Sequence, residues 1–289
     1  MKNTLKIGDR LMNLTKPAVM GILNITPDSF YKDSRFNPNG EEFLKKANEM
    51  AAEGVDIFDI GGFSTRPGGE DILPEEEINR VIPAIEKLKA NFPHIPISID
   101  TFRASVAVAA LNAGAEIIND ISGGDFDNEM FELVISRNPI YIIMHLQGNL
   151  KTMHNQNSYT ELYAEILNKL YKKANYLRSN GVKDIVLDPG FGFSKTVEQN
   201  YALLSNLDVF ENEHFPLLIG MSRKSMIYKL LNTSPEETLV NSTFLHALGI
   251  IKGARIIRTH DVKPIKEALT LIKTLNSQKF INRKISFSI

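Results

Sequence analysis

Eight short apolar runs, separated by segments of helical period, recur along almost the whole of this chain. They cover residues 18–26, 56–63, 95–101, 117–122, 140–146, 184–190, 216–223 and 254–260. Apolar runs without polar alternation mark strands covered on both faces, and such strands belong to parallel sheets flanked by helices. Between them, helical spacing covers 41–53, 75–90, 103–113, 128–136, 160–180 and 197–207, a broken stretch at 224–252, and 263–275. Eight βα units within 289 residues predict a single closed (β/α)8 TIM barrel, a fold of about 250 residues. A doubly wound open sheet is the alternative α/β architecture.

Local signals agree with that division. Gly54, Gly114, Gly181 and Gly253 each stand shortly before a strand, where a left-handed residue ends the preceding helix. Ser234-Pro235-Glu236-Glu237 is a capping box with proline at the first helical position, so the seventh connection should hold an extra helix. At the N-terminus, alternation over 4–7 and 10–14 around Gly8-Asp9 predicts a short β-hairpin covering one end of the core. No linker-like stretch divides the chain. One barrel domain is assigned to residues 1–276. Residues 277–289, where Ile285, Phe287 and Ile289 alternate after Arg283-Lys284, form a C-terminal extension.

Composition excludes several functions. A net charge of −1 provides no footprint for nucleic acid. The absence of cysteine removes disulfides and thiolate metal sites and fits a reducing compartment. Neither a signal peptide nor an apolar run of the ~20 residues that span a bilayer occurs. A soluble cytoplasmic protein is expected.

Unequal connections locate the active face. The long segments 27–40, 64–74 and 147–159 all follow strands, and in a barrel such loops gather at the C-terminal mouth, where chemistry sits. The strands present Asn24, Asp59, Asp100 with Thr101, Asn119 with Asp120, His145, Asp188, Ser222-Arg223-Lys224, and Arg258 with His260 to that mouth. Asp59, Asp120 and Arg223 are candidates for holding loops. Within 184–195, a strand stops on Asp188 and turns through Pro189-Gly190-Phe191-Gly192-Phe193. A carboxylate under a glycine-aromatic loop suits a flat polar ligand; a turn-capping aspartate is the simpler role. No Walker-A loop, dinucleotide fingerprint, i,i+4 histidine pair or nucleophile elbow occurs. Lys224 suits a Schiff base or, more simply, a fixed cation at a helix N-terminus.

These residues resemble the dihydropteroate synthase family. The resemblance lies in Met20-Gly21-Ile22-Leu23-Asn24-Ile25-Thr26-Pro27-Asp28-Ser29-Phe30, Asp59-Ile60-Gly61-Gly62-Phe63-Ser64-Thr65-Arg66-Pro67-Gly68, Ser98-Ile99-Asp100-Thr101 and Ile118-Asn119-Asp120. It continues through Leu187-Asp188-Pro189-Gly190-Phe191-Gly192-Phe193, Ser222-Arg223-Lys224-Ser225 and Arg258-Thr259-His260-Asp261-Val262. It implies a (β/α)8 homodimer that joins 4-aminobenzoate to 6-hydroxymethyl-7,8-dihydropterin diphosphate with Mg²⁺, releasing pyrophosphate. By that resemblance Asp100, Asn119, Met144, Asp188 and Lys224 hold the pterin. Asn24, Arg66, Arg258 and His260 hold the pyrophosphate, with Asn24 also on the metal. Thr65, Pro67, Phe193 and Ser225 hold aminobenzoate, and Asp100, Lys224 and Arg66 are catalytic.

The chemistry is consistent with those types. A pterin's guanidine-like edge suits a buried carboxylate, and cations suit a departing diphosphate. Arg258 and His260, two apart on one strand, leave by one face and could grip one anion. Pairing of Arg258 with Asp261 at the rim is the alternative. Phe63, Lys32-Asp33-Ser34-Arg35 and His145-Leu146-Gln147-Gly148-Asn149 depart from the family's usual pattern. A pterin-dependent methyltransferase and a non-catalytic pterin-binding barrel are the rival functions.

Overall fold

The computed structural model describes residues 3–25, 41–64, 72–149, 152, 156–212 and 214–277. The expected lid segment 27–40, the calls on Thr65, Arg66 and Pro67, and the tail beyond Ser277 lie outside the described residues.

The N-terminal hairpin pairs β1 (Thr4–Ile7) with β2 (Arg10–Asn13). The barrel follows as β3 (Ala18–Asn24), α1 (Glu41–Ala52), β4 (Ile57–Gly61), α2 (Pro74–Asn91), β5 (Ile97–Asp100), α3 (Ala104–Asn112), β6 (Ile117–Asp120) and α4 (Met130–Arg137). It continues with β7 (Ile140–Met144), α5 (Leu162–Ser179), β8 (Ile185–Asp188), α6 (Val197–Ser205), β9 (Leu218–Ile219), α7 (Ser225–Leu231), α8 (Leu239–Ile251), β10 (Ile256–Thr259) and α9 (Val262–Ser277). Strands run parallel in the order β8-β7-β6-β5-β4-β3-β10-β9. A bridge between Leu187 and Leu217 brings the two ends of this sheet together. The closed barrel, rather than the open sheet, is the architecture.

The continuous apolar runs conceal a period of two. Outward residues such as Val19, Leu23, Phe58, Ile60, Ile99, Ile118, Ile143, Leu187 and Ile257 are buried against the helices in one large cluster. Inward residues change character along the barrel axis. At the N-terminal end Met20, Ile57, Ile117, Ile140, Val186, Leu218 and Ile256 form a second cluster, closed from below by Leu5 and Ile7 of β1 and by Leu14. The hairpin therefore plugs one mouth, as its alternation predicted. Above this plug the inward positions become Asp59, Asp100, Asn119, Asp188 and Arg258.

The four helix-ending glycines all have positive φ. The capping box at Ser234 and Glu237 forms, opening a 3-10 turn (Pro235–Thr238) before α8. The run at 216–223 yields only the two residues of β9. Pro216 has no N–H for the ladder, although its carbonyl accepts from Leu187 N at 2.9 Å. Beyond Ile219 the Met221 N–H turns away from the sheet to a side chain on α8.

Candidate active site

The polar layer at the C-terminal mouth is organised by Arg258 on β10. Its Nε donates to Asp59 Oδ2 at 2.7 Å and its Nη2 to Asp100 Oδ2 at 2.6 Å. Asn119 Nδ2 donates to the same Asp59 oxygen at 3.3 Å. Asp59 is fully buried, so it is not a loop holder: it ties β4 to β6 and β10. Burial acts against the Arg258 charge, but Asp59 and Asp100 more than offset it and raise the guanidinium's pKa further. Burial pushes the Asp100 carboxyl upward and Arg258 holds it down, while Asp59 adds a further upward push; the net shift is upward. Arg258 does not pair with Asp261, which binds Arg223 at 2.8 Å instead and links the loops after β9 and β10. Arg223 thus holds loops. Asp120 does likewise, through Ser122, Gly124 and the Tyr141 hydroxyl.

Asp188 ends β8 and faces into the barrel opposite Met144 in register. Its Oδ1 accepts from Gly190 N at 2.7 Å, so it does cap the turn. The turn then folds tightly over the mouth. Gly190 and Gly192 have φ of +73° and +78°, and a Cβ there would lie 2.1 Å from His145 O and 2.7 Å from Lys224 Cδ respectively. At Gly190, where the neighbour is backbone, only glycine permits both the left-handed conformation and that approach. Burial raises the Asp188 pKa, opposed by Lys224.

Lys224 is the N-cap residue of α7, a fixed cation at a helix N-terminus as expected. Its Nζ donates to Phe191 O and lies 4.7 Å from the centroid of the Phe193 ring. Burial lowers its pKa to about 8, with Asp188 supporting the charge. Ser225 follows as the first residue of α7. Of the pair expected to grip one anion, His260 Nδ1 lies 3.0 Å from Ser222 Oγ, and Arg258 donates to Asp59 and Asp100. Asn24 ends β3, and its Oδ1 would lie 3.1 Å from a Cβ on Gly61, which would also meet Asp100 at 3.7 Å. Glycine at 61 therefore lets the carboxamide and the carboxylate share one corner.

Three features of the mouth were not assigned from sequence. Lys195 Nζ donates to Gly190 O at 3.0 Å and Phe193 O at 3.1 Å, and lies 3.3 Å from His145 Nδ1. Burial lowers the Lys195 pKa to about 7, and burial with Lys195 nearby lowers that of His145 to about 2. The carbonyl acceptors make Lys195 the clasp of the glycine-aromatic turn. Glu77, buried in α2, binds Arg103 at 2.7 Å, and Arg103 Nη2 also donates to Ile72 O at 2.7 Å. Phe63 meets Phe102 edge-on at 5.3 Å, with the Arg103 guanidinium 5.0 Å from its ring. This unusual residue thus belongs to an aromatic wall that also includes Met144, Phe126 and Phe193. Lys195 adjoins the Asp188 turn and Phe63 departs from the family's usual pattern, so both carried a signal in sequence; the contacts they make, and the role of Glu77, depend on distant elements.

A barrel with this polar layer has the form of a small-molecule enzyme, and a family model for pterin-binding enzymes matches residues 20–260. The dihydropteroate synthase of Escherichia coli K12 is 40% identical over 270 residues, covering 93% of this chain and 95% of that protein. A Yersinia pestis dihydropteroate synthase with a sulfonamide drug complex superposes with a TM-score of 0.89 at 36% identity, covering 95% of this chain and 99% of that one. A Burkholderia cenocepacia dihydropteroate synthase complexed with 7,8-dihydropteroate gives 0.84 at 36% identity, covering 95% and 96%. This chain belongs to the dihydropteroate synthase family.

Proposed function

We infer that the chain condenses 6-hydroxymethyl-7,8-dihydropterin diphosphate with 4-aminobenzoate, giving 7,8-dihydropteroate and pyrophosphate in folate biosynthesis. The observation that carries this reading is the inward layer Asp100, Asn119, Asp188, Lys224 and Arg258, assembled beneath the glycine-aromatic turn. Asp188 would accept from the pterin's guanidine-like edge, with Asn119 and Asp100 serving other ring atoms, Met144 packing on the ring and Lys224 donating to its carbonyl. The C–O bond to the diphosphate breaks and its electron pair leaves with pyrophosphate. The methylene then carries positive charge that the Asp100 carboxylate favours. The amine lone pair of aminobenzoate forms the new C–N bond, and its proton passes to water; an aromatic amine is already neutral near pH 7. Arg66 and His260 remain assigned to the diphosphate, Arg258 to both it and Asp100, and Thr65, Pro67, Phe193 and Ser225 to aminobenzoate.

Mg²⁺ fits this corner as an ion shared with substrate. Asn24 offers one oxygen beside Asp100, and Mg²⁺ commonly takes few protein ligands, keeping waters and phosphate oxygens. Among the described residues no group of three or more His, Cys, Asp or Glu could hold a metal, so Asn24 would hold it together with the diphosphate. Its chemistry there would be to lower the leaving group's charge.

The test is pyrophosphate release. It should require both substrates together, and aminobenzoate should bind only after the pterin diphosphate, with sulfonamides competing against it. Release from the pterin diphosphate alone at the full rate, or tight aminobenzoate binding to the free enzyme, would contradict the scheme.

The same reading includes a homodimer in the cytoplasm. Lack of cysteine suits the compartment. No helix among the described residues is long and apolar enough to cross a membrane. A second copy is supported by Val240, Phe244 and Ile251, exposed along one side of α8, and by exposed Leu271 and Leu275 on α9. Light scattering should give twice the chain mass for the wild type and the single-chain mass for a Val240→Glu/Phe244→Glu variant. A monomeric wild type would refute the dimer.

A further inference from the structure

The loop that presents Lys224 is held from behind by α8. Met221 N–H donates to His246 Nε2 at 2.9 Å, and Arg223 N–H donates to Ser242 Oγ at 3.3 Å. Ser242 and His246 are four residues apart, so they share one face of the helix. Arg223 stands at φ 58°, a left-handed conformation that arginine does not readily adopt, so the loop needs external support. Lys224 N–H returns to Met221 O at 3.3 Å, so displacement of Met221 carries through to the lysine. Ser222, between them, meets His260 Nδ1 at 3.0 Å.

His246 is fully buried, and its Nδ1 has no hydrogen-bond partner among the described residues. A neutral imidazole that accepts at Nε2 carries its proton on Nδ1. Burial, with the Lys224 charge nearby, lowers the His246 pKa to about 3, so the accepting form is the one present at neutral pH. The reaction has no use for this side chain, and an apolar residue would occupy the same place without desolvating an N–H. The distinctive product of the histidine is the bond to Met221.

We propose that His246, aided by Ser242, is a positioning residue that fixes the Met221–Lys224 loop and so places the Lys224 ammonium at the barrel mouth. The proposal rests on the assignment of Lys224 to the pterin site. Glutamine at 246 can still accept from the Met221 N–H, whereas alanine cannot. In the full-length protein, His246→Ala should speed amide exchange of residues 220–226 and weaken a pterin analogue by about 3- to 10-fold, the scale of one lost net hydrogen bond. His246→Gln should restore both, and Ser242→Ala should show a smaller form of both if His246→Ala does not fold. Unchanged exchange in His246→Ala would overturn the proposal, as would faster exchange with unchanged affinity. Equal weakening in His246→Gln and His246→Ala would also overturn it. Failure of the wild type to bind the pterin analogue would instead remove the pterin assignment, and the exchange comparison would still decide whether His246 holds the loop.

Discussion

Arg258→Ala is expected to destabilise the fold by about 3–5 kcal/mol near neutral pH, the usual consequence of leaving buried charge without its partner. The guanidinium is the shared partner of Asp59 at 2.7 Å and Asp100 at 2.6 Å, and Asp59 is fully buried. Without it, burial and mutual repulsion would raise the Asp100 carboxyl further. A group whose folded pKa lies above its unfolded value contributes stability that is complete below the unfolded pKa and is lost as pH rises through the folded one. The deficit of the variant should therefore be largest above about pH 7 and shrink toward about pH 5, where carboxyls can take up protons. Urea melts at the two pH values measure this directly, and a deficit that grows on acidification would refute it. Binding supplies the second readout. Affinity for the pterin diphosphate ester should fall by about 1.5–3 kcal/mol, roughly 10- to 150-fold, if Arg258 also faces the leaving group. Affinity for the hydroxymethylpterin alcohol should fall by clearly less, since that ligand lacks the anion and loses only the support Arg258 gives Asp100. Equal losses for both ligands would confine Arg258 to supporting Asp100 and the pterin floor.

Asp188→Asn should fold normally and lose pterin. The asparagine carbonyl oxygen can keep the bond from Gly190 N, now 2.7 Å long, so the turn survives. The other half of the carboxamide is a donor and would face the donor edge of the ligand. Loss of a charge-assisted pair costs about 1.5–3 kcal/mol, so affinity should drop at least ~10-fold. A second effect follows from the neighbouring lysine. Asp188 helps keep Lys224 protonated against the burial that lowers its pKa to about 8. Removing that carboxylate should make Lys224 lose its proton at lower pH, so residual binding should decline earlier as pH rises. Calorimetry with a pterin analogue across pH checks both points. Unchanged affinity near neutral pH would remove Asp188 from the cradle.

Much of this architecture was local enough to be legible. Strand and helix positions follow from spacing over two to four residues, and glycines at positive φ mark the helix ends. The turn after Asp188 was readable because proline and two glycines leave its backbone few alternatives. Family resemblance then named the polar residues at the mouth. Their pairings were not in the sequence. Arg258 is separated from Asp59 by 199 residues and from Asp100 by 158, and which carboxylate it meets depends on closure of the barrel. The local rule of two put Arg258 and His260 on one face but did not say what else they meet; packing set His260 against Ser222 and gave Asp261 to Arg223. The shortened β9 has the same origin, since a histidine on α8 takes the Met221 N–H that the sheet would have used. The chain's periodicity and turn residues determined the barrel, its plug and which residues reach the mouth. Tertiary structure decided how the buried charges compensate one another, because those choices depend on distances that only the closed barrel creates.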